Sequence, residues 1–189
     1  MSSGSGFPGG IGRFTSPGKL MTSGGFGVSG IGGCSIMVSS RAKMMTIKHI
    51  TVQQAHQQQT AGASYLDVRS IPEFEQGHPE GAFNIPLLHF DPSTGQMRPN
   101  PEFLVVVRAT FPPETPMVVG CKMGGRSQQA CEILASAGFH DVTNVLGGWG
   151  GAPQLGHVGW VQAGLPVETT AEASRRYDTL QKKTGAGDR

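Results

Sequence analysis

Apolar residues recur from about Met45 onward in short blocks whose period switches between two and three to four. Residues 46–50 alternate weakly and predict a first strand, and 51–59 (TVQQAHQQQ) predict an exposed helix capped by Thr51. Ser64-Tyr-Leu-Asp-Val-Arg69 is a β-rich run that ends in charge. A short helix over 72–76 takes Pro72 in its first turn and stops at Gly77. Ala82-Phe-Asn-Ile85 is a strand halted by Pro86, and Asn100-Pro-Glu opens a helix through Phe103, Val106, Val107 and Thr110, ended by Pro112-Pro113. Residues 117–120 form a buried strand. A helix over 127–137 follows, with Ala130, Ile133, Leu134 and Ala137 on one face and Gly138 as its stop. A last strand covers 141–146. Strands alternating with helices predict an α/β fold, a parallel sheet with helices on both faces. Ligands of such sheets sit beyond the carboxyl ends of the strands.

Composition divides the chain. It is 37% hydrophobic and 15% charged, with 29 Gly and 13 Pro, and 12 Gly and 9 Ser fall in the first 40 residues. Residues 1–44 are therefore expected to be a disordered low-complexity arm, with 45–170 the domain and 171–189 a polar tail. No acid precedes Asp67, so the net charge of +2 comes from the arm, and no basic stripe suggests nucleic acid. Phe103–Val107 is far short of the roughly 20 apolar residues of a membrane span. Three cysteines without CxxC spacing suit neither a disulfide framework nor a zinc site, and no metal or cofactor is expected. Sparse cysteine fits the cytoplasm; a Ser-rich, acid-free arm leaves a plastid or mitochondrial transit peptide as the alternative. Composition leaves the oligomeric state open.

The richest stretch follows the 117–120 strand: Cys121-Lys-Met-Gly-Gly-Arg126, then a helix. Backbone N–H groups and the helix dipole converge there, favouring an anion and so the thiolate of Cys121. Gly124 and Gly125 let the backbone of Lys122 and Met123 curl into an anion nest, and Arg126 adds a cation at its rim. Read as residues alone, a strand-end cysteine beside a loop is the bland alternative.

The order Tyr-Leu-Asp67-Val-Arg69, Glu73-Phe-Glu-Gln-Gly77-His78, Gly-Ala-Phe-Asn84-Ile-Pro86, Cys121-x-x-Gly-x-Arg126-Ser127, Ala137-Gly-Phe, Asn144-Val-Leu-Gly147-Gly148 and Gly164-Leu-Pro-Val resembles the single-domain rhodaneses, in the small form of plants and bacteria. The resemblance spans roughly residues 45–169 and implies a rhodanese-like parallel five-stranded sheet. It also implies a sulfurtransferase in which Cys121 takes a sulfane sulfur as a persulfide. The amides of Lys122, Met123, Gly124, Gly125 and Arg126 would stabilise the transferring sulfur. Lys122 and Arg126 would attract an anionic donor such as thiosulfate or a persulfide, with a thiol or cyanide as acceptor. Asp67 and Arg69 resemble paired charges that brace the loop, and Glu73 and His78 are expected to act as helix-end hydrogen-bonders.

Two departures stand out. Pro79-Glu80 follow Gly77-His78 where an aliphatic residue and then Pro are usual, and Trp149 to Gly159 separate Gly147-Gly148 from Trp160. Trp160 is read as the family tryptophan and the intervening stretch as an insertion. Trp149, His157 and Trp160 are expected at the rim of the pocket, on a glycine-rich flap able to move. Cys131 is expected to be a packed helix cysteine, and Cys34 to lie idle in the arm. A related phosphatase or arsenate reductase is disfavoured, because its signature puts five residues between Cys and Arg and here there are four. A catalytically idle binding module is the remaining alternative.

Overall fold

A computed structural model describes residues 46–185. The expected arm 1–44 lies outside them. In chain order the elements are β1 (Lys48–Ile50), α1 (Val52–Thr60), β2 (Ser64–Asp67), α2 (Ile71–Glu75), β3 (His78–Pro79), β4 (Phe83–Asn84), β5 (Leu88–Asp91) and β6 (Gln96–Pro99). Then come α3 (Phe103–Thr110), β7 (Met117–Gly120), α4 (Gly125–Ser136), β8 (Val142–Val145), β9 (Val167–Glu168) and α5 (Tyr177–Lys182). Five strands form one parallel sheet in the order β1-β8-β7-β2-β4. β3 pairs with β9 and β5 with β6, both antiparallel.

Alternation in the central strands produces two cores. Leu66 of β2 and Met117 and Val119 of β7 point to the side covered by α3, α4 and α5, where Val106, Leu134 and Leu180 are fully buried. Tyr65 and Val118, one residue out of phase, point to the opposite side with Val52 and Ala55 of α1 and the indole of Trp160. Helices therefore cover both faces, as the pattern of the chain predicts. Local chemistry sets the ends. Thr51 and Gln54 cap α1 reciprocally, the Thr51 hydroxyl accepting from Gln54 N–H and the Gln54 side chain accepting from Thr51 N–H. Ser70 and Glu73 close the same kind of box on α2.

Three features depart from the sequence reading. The stretch between β4 and α3 is a hairpin, β5–β6, whose Phe90 and Met97 face each other and stay about 40% exposed. The segment expected as a polar tail instead carries α5. Its Tyr177 and Leu180 enter the larger core, and the Tyr177 hydroxyl donates to the Asn100 side chain at 3.3 Å. The folded unit thus continues past residue 170. The insertion is a hydrogen-bonded turn rather than a loose flap. Ala152 and His157 exchange backbone hydrogen bonds of 2.8 and 3.1 Å around a short 3-10 turn, Pro153–Leu155. Gly151 and Gly159 serve close backbone packing there, since a Cβ on Gly159 would overlap the Gly151 nitrogen.

Candidate active site

The carboxyl edge of the sheet collects the chemistry. β2 and β7 run parallel with Asp67 opposite Gly120, and Asn84 ends β4 opposite Asp67, so Asp67, Asn84 and Cys121 leave the sheet side by side. Gly120 admits the buried Tyr65 phenol, which a Cβ there would overlap. Burial, and then the negative charge of Asp67, push the Tyr65 hydroxyl well above the usual phenol range, so it stays neutral.

Cys121 is 3% exposed. Its Sγ accepts the Gly124 N–H at 3.1 Å, and the Ser127 hydroxyl lies 3.4 Å from it. That hydroxyl has one proton and a second acceptor, the Gly124 carbonyl at 3.0 Å, so the backbone N–H is the dedicated donor. Gly124 reaches this geometry at φ +112°, a left-handed conformation that turns its N–H back on the sulfur and starts α4. Sulfur, loop and helix N-terminus therefore coincide, an arrangement suited to holding an anion. Lys122 is exposed and makes no ion pair among the described residues, and Met123 beside it is 54% exposed. Gly125 opens α4.

Arg126 is engaged elsewhere than the sequence suggests. Both of its terminal nitrogens donate to Glu73, at 2.7 and 2.8 Å. Burial alone would raise the Glu73 carboxyl, but hydrogen bonds from Arg126 and Ser70 outweigh it and hold it at about 2. The same contact raises Arg126. Arg126 is thus a brace between α4 and α2 rather than an open cation at the rim. Glu73 keeps its expected helix-capping bonds to Ser70, at 3.1 Å from N–H and 2.8 Å from the hydroxyl, and adds the ion pair.

Asp67 and Arg69 form a buried pair, Nη2 to Oδ2 at 2.7 Å. Arg69 also donates to the carbonyls of Glu73 and Gly77 at 3.1 and 2.8 Å, and its guanidinium lies 4.6 Å from the centre of the Trp149 ring. The pair thus braces the turn after α2 and the indole of Trp149, whose backbone in turn meets the cysteine loop. His78 places Nδ1 2.8 Å from the Phe74 carbonyl and Nε2 3.3 Å from Glu168, which joins α2 to β9.

The expected rim separates into three cases. Trp149 is half-buried, and its backbone N–H donates to the Cys121 carbonyl at 2.8 Å. His157 is half-buried next to Gly147 and makes no hydrogen bond to the sulfur among the described residues. Trp160 is not at the rim. It is fully buried against Tyr65 and His56, with its indole N–H donating to the Pro166 carbonyl at 2.8 Å. Apolar bulk won over position in the chain, because burying so large a side chain outweighs the little a rim contact returns. Cys131 is a packed helix cysteine, 0% exposed, its thiol pushed up to about 12 by burial and the neighbouring Cys121 charge. A cavity of about 390 Å³ lined by Phe74, His78, Asn84, Thr169 and Tyr177 lies between α2 and the C-terminal segment, apart from the cysteine loop.

Sequence reasoning missed the Glu73–Arg126 pair, the Tyr65 phenol under Gly120 and the Ser127 hydroxyl. Opposite charge at two motif positions was the available signal for the first. Tyr65 and Ser127 both stand in quoted motifs, but nothing local says what either touches.

A parallel α/β domain that presents a cysteine from a strand end to the N-terminus of the next helix, with an N–H on its sulfur, defines a class suited to holding an anion beside that cysteine. Residues 51–151 match the rhodanese-like domain, and the chain belongs to that family. It is 39% identical over 119 residues to thiosulfate sulfurtransferase 16, chloroplastic, of Arabidopsis thaliana, covering 63% of this chain and 91% of the relative. It is 36% identical to thiosulfate sulfurtransferase 18 of the same plant, over 71% of this chain and 93% of the relative. Among solved structures, the crystal structure of Rv0390 from M. tuberculosis superposes with a TM-score of 0.57 at 28% identity, covering 67% of this chain and all of that one.

Proposed function

We propose that the protein is a sulfurtransferase working through a Cys121 persulfide. The Gly124 N–H on Cys121 Sγ, at the start of α4, is the observation that carries this reading. The Cys121 thiolate attacks the sulfane sulfur of thiosulfate, or of a persulfide. The new S–S bond forms as the old one breaks, and sulfite, or the donor thiolate, leaves with the electron pair. Cyanide or an acceptor thiolate then attacks the outer sulfur and restores the Cys121 thiolate. The loop amides stabilise negative sulfur in both steps. Lys122, exposed at the mouth, steers anionic donors.

Two relatives named as thiosulfate sulfurtransferases support the donor class. The phosphatase alternative loses ground twice: the loop has four residues between Cys121 and Arg126, and the Arg126 guanidinium is taken by Glu73. Cytoplasm is the proposed compartment. Among the described residues no helix is long and apolar enough to cross a membrane. One relative is named chloroplastic, so a fluorescent fusion to residues 1–44 decides between cytoplasm and organelle.

Intact mass after incubation with thiosulfate tests the chemistry. The expected result is a gain of one sulfur that dithiothreitol removes, absent in Cys121→Ser and kept in Cys131→Ser. No gain, with binding of partners intact, would instead favour the idle binding module, and phosphate-ester turnover the phosphatase.

A further inference from the structure

The peptides on either side of Lys122 are held from outside the loop. Trp149 N–H donates to the Cys121 carbonyl at 2.8 Å, and Gly150 N–H donates to the Lys122 carbonyl at 2.9 Å. In a trans peptide the C=O and N–H point in opposite directions. Fixing these two carbonyls therefore fixes the N–H groups of Lys122 and Met123 on the other side of the chain. The contact is backbone on backbone. Gly148 has φ +52°, and a Cβ there would overlap the Cys121 carbonyl oxygen and lie 2.9 Å from its carbon. The segment 147–150 is itself anchored. Gly151 N–H donates to the Gly147 carbonyl and Trp160 N–H to the Gly148 carbonyl, each at 2.8 Å. The Trp149 ring lies over the Arg69 guanidinium and close against Gly77, where a Cβ would be 3.1 Å from it.

We propose that the strap 147–150 is the positioning device of the cysteine loop, turning the Lys122 and Met123 N–H groups toward the sulfur anion that the loop receives. Gly148 is its key position, because only glycine lets strap and loop touch. The proposal rests on the sulfurtransferase reading for its role in turnover. The Gly124 N–H is oriented by its own left-handed backbone and needs no strap. The other two N–H groups lie in a short exposed stretch and take their direction from the strap.

The test uses the full-length protein and three variants. Gly148→Ala presses on the Cys121 carbonyl. Gly150→Pro deletes the donor to Lys122 and sets a ring carbon against the Lys122 carbonyl, at an exposed position where the Cβ itself meets nothing closer than 3.6 Å. Gly62→Ala is the control: it imposes a side chain at φ +105° in the turn after α1, away from strap and loop, where a Cβ meets nothing within 4 Å. Two quantities are read beside the melting temperature. One is kcat and KM for thiosulfate with cyanide. The other is the ratio of Cys121 alkylation rates with iodoacetate and iodoacetamide, followed on the Cys121 peptide, because inward N–H groups favour the anionic reagent. The strap predicts that Gly148→Ala and Gly150→Pro lose about 10²-fold in kcat, as removal of an oxyanion donor does, with KM changed less. Their iodoacetate-to-iodoacetamide ratio falls as well. Gly62→Ala keeps kcat and the ratio even where its melting temperature drops. A folded Gly148→Ala or Gly150→Pro with wild-type kcat and ratio overturns the strap and leaves the sulfurtransferase reading standing. If Gly148→Ala does not fold, Gly150→Pro decides. If the wild type transfers no sulfur, the enzyme reading falls, and the alkylation ratio alone decides the strap.

Discussion

One carboxylate, Glu73, receives two N–H groups from Arg126 and both the N–H and hydroxyl of Ser70. It ties the first turn of α2 to the first turn of α4, behind the cysteine loop. Its carboxyl is held at about 2 in the folded protein against an ordinary 4.5, and that lowering fixes the sign of its pH dependence. The stability it contributes is complete above about 4.5 and is lost as pH falls toward about 2. Melting temperatures measured across that window should fall more steeply for the wild type than for Glu73→Gln. Parallel curves would mean the ion pair contributes nothing. Glu73 and Arg126 could each be picked from the chain as functional, but not as partners. They are 53 residues apart, and only the crossing of β2 to β7 brings their helices together. A similar separation along the chain hides Tyr65 beneath Gly120, a contact with no trace in either segment.

Elements differ in how plainly the chain announces them. β7 is a short apolar run, while β2 and β8 set apolar residues among Ser, Asp, Thr and Asn; all three are almost wholly buried, and these are strands that the sequence pattern finds. β6 is exposed at every position and α5 offers only Tyr177 and Leu180 as an apolar pair, so neither has a pattern to read. Yet Leu180 is fully buried beside α3. Leu180→Ala should destabilise the domain by about 2–5 kcal/mol, in urea unfolding followed by far-ultraviolet dichroism. Ending the chain at residue 170 should cost at least as much. A truncated protein as stable as the full chain would return 171–185 to the status of a tail. The strap is a third kind of case. Gly147 and Gly148 read in the chain as part of a motif and Gly150 as part of a flap able to move, whereas the structure uses Gly148 where backbones touch.

Across the whole molecule charge is sparse, and the loop pairs away one of its two cations. With Arg126 bound to Glu73, Lys122 is the cation left at the mouth of the site among the described loop residues. Lys122→Ala should therefore raise KM for thiosulfate several-fold with kcat little changed, and added salt should raise KM in the wild type but hardly in the variant. Salt dependence that survives the substitution would place the steering charge elsewhere. Arg126→Ala should behave differently, lowering kcat, because it strands the Glu73 carboxylate and loosens the start of α4.

The chain has two tryptophans, and they occupy opposite kinds of place. Trp160 is sealed in a core, whereas Trp149 lies on a guanidinium with its own backbone bonded to the carbonyl of Cys121. Excited at the indole band, Trp160 should therefore give a constant, blue-shifted emission, and any change on adding thiosulfate should come from Trp149, whose backbone is one hydrogen bond from Cys121.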